Sequence, residues 1–364
     1  MAGVTTERMP WWAWVWPLLA WCVLAATFAV GKGTILAAAA AVVLIATVFA
    51  AVYHAELIAH RIGEPFGTLV LALAVTVIEV ALIVSVMISG GDHGAELARD
   101  TVFAAVMIIL NGLVGLSLLI GGAHHHEQDF RAQGASAALA VLTALLTLSL
   151  VLPNFTTSAI GPTFSVPQLA FAGIMSLVLY CTFVFVQTVR HRDYFLSEED
   201  ANAGPDAHAP RPSGRAALAS LGLLLAALVA VVVLAKVLTP TIRAGVTAVG
   251  APDAVVGIVI AAVVLLPEGL AALRAARLNR LQTSMNLALG SALASIGLTI
   301  PAVAALSIIL GTPLALGLGS KDEVLLTLTL FVSLITLGTG RTTVLQGVVH
   351  LVILAAFLFL AVVP

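Results

Sequence analysis

Residues 67–89 read GTLVLALAVTVIEVALIVSVMIS, an apolar run with one charged residue, Glu79, near its centre. A helix rises about 1.5 Å per residue, so this run is long enough to cross a hydrocarbon core of roughly 30 Å. A second run, VVGIVIAAVVLLPEGLAAL at 255–273, carries Glu268 in the same manner. Neither shows the alternation of a barrel strand, and nor do continuous stretches such as LLLAALVAVVVLA at 223–235.

The rest of the chain agrees. Of 364 residues, 61% are hydrophobic and 9% charged, against about 25% charged in soluble domains. Mean hydropathy is +1.12. So few charges cannot cover a water-soluble fold of this size, and the expected class is an all-α polytopic membrane protein whose main partner is the lipid bilayer. A net charge of −2 without a basic block argues against nucleic acid. Cys22 and Cys181, both in apolar runs, supply neither a disulfide framework nor a Cys-based metal site. No phosphate loop and no nucleophile–base arrangement points to an enzyme, and no cofactor is expected.

Eleven spans are expected, near 11–30, 33–53, 67–89, 99–120, 134–152, 167–189, 216–238, 252–273, 282–309, 322–338 and 342–363. Pro301 lies in the longest of them, 282–309, so a kink or an early end is expected there. Tryptophans at 11, 12, 14 and 16 mark the first span as a retained helix with an interfacial aromatic cluster rather than a signal peptide. With the N-terminus in the cytoplasm, eleven Lys and Arg fall on the cytoplasmic side and five, Lys32, Arg99, Lys236, Arg243 and Lys321, on the other. The positive-inside rule therefore predicts N-in, C-out in a bacterial inner membrane. One long polar segment, 190–215, reads as a flexible cytoplasmic loop. It divides the chain into a leading segment and helix (1–32), a first five-helix repeat (33–189) and a second (216–364). Odd-numbered halves in series insert with opposite orientation, as inverted repeats do in many transporters.

Only Glu79 and Glu268 are acids flanked on both sides by apolar turns, and each sits in the second helix of its half. An ionised carboxylate in hydrocarbon costs at least ~2.5 kcal/mol. No Lys or Arg lies deep in any span to offset it. Protons or metal cations are left as counter-charges, which is a physical prescription for cation–proton exchange: two carboxylates hold a hard divalent ion such as Ca2+ or carry protons instead. Pro267, just before Glu268, suggests a broken helix whose freed carbonyls could join the ligands. Asn111, Ser291 and Ser295 lie in equivalent spans of the two halves; they either ligate the cation or hydrogen-bond across helices. Thr76, one turn before Glu79, has the same two roles open to it. Glu64, at the cytoplasmic mouth of span 3, is a candidate proton relay or cation attractor, and His350 in span 11 a candidate proton relay or a packed neutral side chain. The His124-His125-His126 run, with Glu127 and Asp129, reads as a plain cytoplasmic loop.

At these residues the sequence resembles a known family. HAELIAHRIGEPFGTLVLALAVTVIEVALI (54–83) and LLPEGLAALRAARLNRLQTSMNLALGSALASIGLTIPAVA (265–304) are similar to the bacterial calcium–proton antiporter branch of the calcium/cation antiporter superfamily, as are FVQTVRHRDYF (185–195) and GTGRTTVLQGVVHL (338–351). The resemblance implies one extra leading helix, two inverted five-helix repeats, and Glu79 and Glu268 as the acidic residue of each repeat. It also implies export of Ca2+ by inward proton flow, with Na+/H+ and K+/H+ exchange found in the same branch. Val75-Thr76 and Val264-Leu265 stand where much of the superfamily has Gly-Asn, which implies fewer polar ligands around the glutamates. The oligomeric state has no signature in the sequence.

Overall fold

The computed structural model of the chain describes residues 9–31, 33–63, 74, 76–84, 87, 94–196 and 212–363. Its helices follow the apolar runs, because a helix satisfies every backbone hydrogen bond within its own segment. They are α1 (Trp11–Val30), α2 (Thr34–Ile62), α3 (76–84) and α4 (Gly94–Met107), which passes through a π-helical turn (Ile108–Leu113) into α5 (Val114–His125). There follow α6 (Ala132–Leu146), α7 (Val166–Phe185), α8 (Gly214–Ala248), α9 (Ala254–Arg277), α10 (Leu281–Leu310), α11 (Ser320–Gly338) and α12 (Val344–Val362). Two short strands, β1 (Gln128–Asp129) and β2 (Arg341–Thr342), pair antiparallel.

Among the described residues, nine helical stretches are long and apolar enough to cross a membrane. The span expected at 322–338 is present as α11, whose first turn carries Lys321, Asp322 and Glu323 and so falls outside that nine. The span expected at 67–89 is described only at 74, 76–84 and 87. Of the alternatives open at two prolines, the break and the early end are corrected. The stretch at 282–309 does not end early at Pro301: α10 runs through it for 30 residues. Nor is the helix broken at Pro267, which lies inside the 24-residue α9. A proline removes one N–H and frees one carbonyl, and neighbouring helices can keep such a helix continuous.

The chain forms two compact units. The first holds Met1–Ile78 and His208–Thr241, hence α1, α2 and most of α8. A single proline explains how these three helices are tied. Pro17 lies inside α1 and has no N–H to give to the carbonyl of Ala13, four residues back. His54 of α2 supplies the missing donor, its Nε2 lying 2.9 Å from Ala13 O. Because a carbonyl only accepts, Nε2 carries the proton, and in the neutral ring Nδ1 accepts from the Ser220 hydroxyl of α8 at 3.1 Å. Both side chains are fully buried. Trp21 Nε1 adds a bond from α1 to Ala226 O of α8 at 3.2 Å.

The second unit holds Glu79–Ala207 and Ile242–Pro364. Its most enclosed stretches are the one formed by α4 and α5, 78% buried over its most apolar window, and α10, 56% buried. Their surroundings are symmetric. α7 packs on α10 as α12 packs on α5. Both α7 and α12 open with the same capping box, Ser165 with Gln168 and Thr343 with Gln346. The segment before α12 pairs with the segment before α6 through β1 and β2, and the segment before α7 pairs with the one before α11 through Thr163 and Ala315. These repeated contacts are of the kind that two inverted repeats make.

Replacing His54 by Ala leaves the Ala13 carbonyl without a donor and should destabilise the protein by about 1–3 kcal/mol. Adding Pro17→Ala restores a backbone N–H to that carbonyl, so the double variant should recover much of the loss. Thermal unfolding of the four proteins of this cycle in detergent checks it. A loss in the double variant equal to the sum of the single losses would remove Pro17 from the explanation.

Candidate cation site

The second unit brings Glu79 and Glu268 onto one helix. Glu79, on α3, is 6% exposed; Glu268, on α9, is half-buried. The Ser295 hydroxyl of α10 donates to Glu79 Oε2 at 2.6 Å. Ser291, one turn earlier on the same face of α10, donates to Glu268 Oε2. Among the described residues no group of three or more His, Cys, Asp and Glu side chains gathers to hold a metal. The oxygens that the described residues bring together here are carboxylate and hydroxyl, a donor set that suits hard cations.

Glu79 Oε1 is buried without a hydrogen-bond partner among the described residues. Glu79 lines a small space whose walls include Thr101 and Ala105 of α4 and Ile260 and Val264 of α9. Two glycines let α9 approach this closely. A Cβ on Gly257 would lie 3.0 Å from Thr101 Oγ1 and 3.1 Å from the Thr101 backbone nitrogen, and one on Gly269 would lie 2.7 Å from Leu113 Cδ2. The arrangement offers two acidic groups, each held by one hydroxyl, one of them with a carboxylate oxygen that has no hydrogen-bond partner among the described residues.

The other sequence candidates divide. Thr76 is buried, 3% exposed. Glu64 lies outside the described residues. Asn111 does not hydrogen-bond either glutamate: its amide nitrogen donates to Thr329 Oγ1 at 2.9 Å, and its oxygen faces His350 Nδ1 at 3.3 Å. His350 is fully buried, with Nε2 at 3.3 Å from Thr336 Oγ1. In the histidine run, His124 Nδ1 donates to Ile120 O and His125 Nε2 to Arg277 O, both at 2.9 Å. Sequence reasoning did not find Thr101 and Ala105 as cavity walls. A Thr and an Ala in an apolar helix carry no signal of their own, and only the packing of α4 on α9 selects them.

Comparison with known proteins matches residues 32–189 and 219–363 to the sodium/calcium exchanger protein family. The chain belongs to that family. It is therefore a transporter rather than an enzyme. A putative ionic transporter of Sinorhizobium fredii is 53% identical over 364 residues, covering 99% of this chain and 98% of its own. The sodium-potassium/proton antiporter ChaA of Escherichia coli is 36% identical over 86% of this chain and 85% of its own. With bacterial relatives over nearly its whole length and this many apolar helices, it is a multi-pass bacterial inner-membrane protein. Two solved structures share the fold. The Ca2+/H+ antiporter YfkE has a TM-score of 0.73 at 15% identity, covering 97% of this chain and 99% of its own. The H+/Ca2+ exchanger CAX has a TM-score of 0.71 at 16% identity, over 95% and 86%.

The close approach of α9 can be tested directly. An added methyl at Gly257 meets helix backbone that cannot give, whereas at Gly269 it meets the end of a flexible leucine. Gly257→Ala should therefore cost about 1–3 kcal/mol, and Gly269→Ala less, since alanine also gains helix propensity. Melting temperatures in detergent should fall in that order; a larger drop at Gly269 would contradict the packing.

Proposed function

We propose that the protein is a secondary active antiporter that exports cytoplasmic Ca2+ in exchange for H+ by alternating access, with Glu79 and Glu268 as its cation- and proton-binding groups. The observation that carries this is the pair of glutamates bonded to serines one turn apart on α10. Two carboxylates in a bilayer, with no Lys or Arg bonded to either among the described residues, need a counter-charge that can come and go. One Ca2+ or two protons neutralise them equally. Ser291 and Ser295 then serve as hydroxyl ligands beside the carboxylates, with Thr76 a turn below Glu79. Glu64, at the cytoplasmic mouth of its span, passes protons or gathers cations.

The architecture that fits this reading is eleven spans, a leading helix in 1–32 followed by inverted five-helix repeats at 33–189 and 216–364, joined by the cytoplasmic loop 190–215. The excess of Lys and Arg on one side favours a cytoplasmic N-terminus. The family match and the fold shared with two Ca2+/H+ exchangers support calcium as the cargo. A second reading, mainly Na+/H+ or K+/H+ exchange on the same site, is favoured by the relative from Escherichia coli named for sodium, potassium and protons.

Everted membrane vesicles energised by respiration distinguish these readings. Added Ca2+ should collapse the pH gradient more effectively than Na+ or K+; the reverse order establishes the monovalent reading, and no response to any of the three across pH 7–9 rejects exchange altogether. Protons and cations compete for the same carboxylates, so the apparent KM for the cation should fall as pH rises. Glu79→Gln and Glu268→Gln should each abolish the response while leaving the protein in the membrane, and normal exchange in either variant would remove that residue from the mechanism.

A further inference from the structure

The site just described leaves one buried polar network without a role. Asn111 lies in the π-helical turn Ile108–Leu113, where the Val114 N–H bonds Ile109 O, five residues back, rather than Leu110 O. His350 is carried by α12, which packs against this turn. Its ring meets the Asn111 side chain, whose amide is fixed in turn by Thr329. α11 and α12 thus grip the irregular turn from two sides, and Asn111 and His350 are both fully buried.

A π turn inserts one residue into the helical register, rotating what lies beyond it by about 100° about the axis. α4, before the turn, presents Thr101 and Ala105 to the cavity at Glu79. α5, after it, lies against α12. A regular α-helix could not keep both faces where they are.

We propose that His350 and Asn111 are positioning residues for cation exchange: together they hold the π turn, and the turn sets the wall that α4 builds beside Glu79. This rests on the reading of Glu79 as a cation-binding group. In this arrangement Asn111 acts through the helix rather than as a ligand of the ion. The network is a chain of donors and acceptors. The Thr336 hydroxyl donates to His350 Nε2, His350 Nδ1–H to Asn111 Oδ1, and Asn111 Nδ2–H to Thr329 Oγ1. Removing either middle member releases the turn.

The test compares His350→Ala, Asn111→Ala, the double variant and His350→Gln in everted vesicles, with membrane abundance measured for each. His350→Ala and Asn111→Ala should each raise the apparent KM for the cation by about five- to tenfold, the size of one lost buried hydrogen bond, with a smaller change in maximal rate. The double variant should be no worse than the poorer single one, because both act on the same turn. His350→Gln, which keeps an N–H donor, should restore most of the affinity. A second measurement does not depend on transport. With the exposed Cys22 and Cys181 replaced by Ala, the rate at which a small thiol reagent modifies Ala105→Cys reports the cavity wall, and it should change at least threefold, by the same reasoning, when His350 or Asn111 is removed.

Unchanged modification rates in both variants overturn the proposal. So does a rise in KM in Asn111→Ala with none in His350→Ala, the pattern of a direct ligand. If the wild type moves no protons in response to any cation, the antiporter reading fails, while the modification rates still decide whether the network sets the wall.

Discussion

Everything distinctive in this protein follows from the cost of leaving a negative charge uncompensated in hydrocarbon. Glu79 and Glu268 are met by serine hydroxyls from one face of α10, and no lysine or arginine is bonded to either among the described residues. A hydroxyl lowers the cost of a carboxylate without cancelling its charge. A permanent salt bridge would be more comfortable and useless, since a site that exchanges counter-ions must not own one. The buried Oε1 of Glu79, without a hydrogen-bond partner among the described residues, is the remainder of that compromise.

The same constraint governs the neutral polar groups. Two irregularities in the membrane helices are each met by a buried histidine. Pro17 frees the Ala13 carbonyl and His54 caps it; at the π turn His350 meets the Asn111 side chain. In both cases the other ring nitrogen meets a hydroxyl, Ser220 or Thr336, from a third helix. Without water to complete the bonds, a defect in one helix becomes a contact among three.

Much of the architecture was legible in the sequence because hydrocarbon imposes a length and a polarity on every span. Among the described residues, nine of the apolar runs are helices that meet both criteria. Rarity exposed the two glutamates: two acids deep in apolar runs, among 18 in the chain, need no structure to be noticed. The same logic left a break open at Pro267 and an early end open at Pro301, because the sequence does not show the helices that keep α9 and α10 continuous. It also left Asn111, Ser291 and Ser295 equivalent. All three are small polar residues in equivalent apolar helices, and composition does not say which face each occupies.

The sequence by itself determined that the chain spans a membrane many times and that two carboxylates lie deep in apolar runs with no Lys or Arg in the same runs. Those conclusions rest on transfer energies, which depend on residue type and run length alone. Only the tertiary structure decided that Ser291 and Ser295 face the glutamates while Asn111 turns to His350 and Thr329. That choice depends on helix register, which the π turn shifts by one residue, and register is fixed by packing between helices distant in the chain.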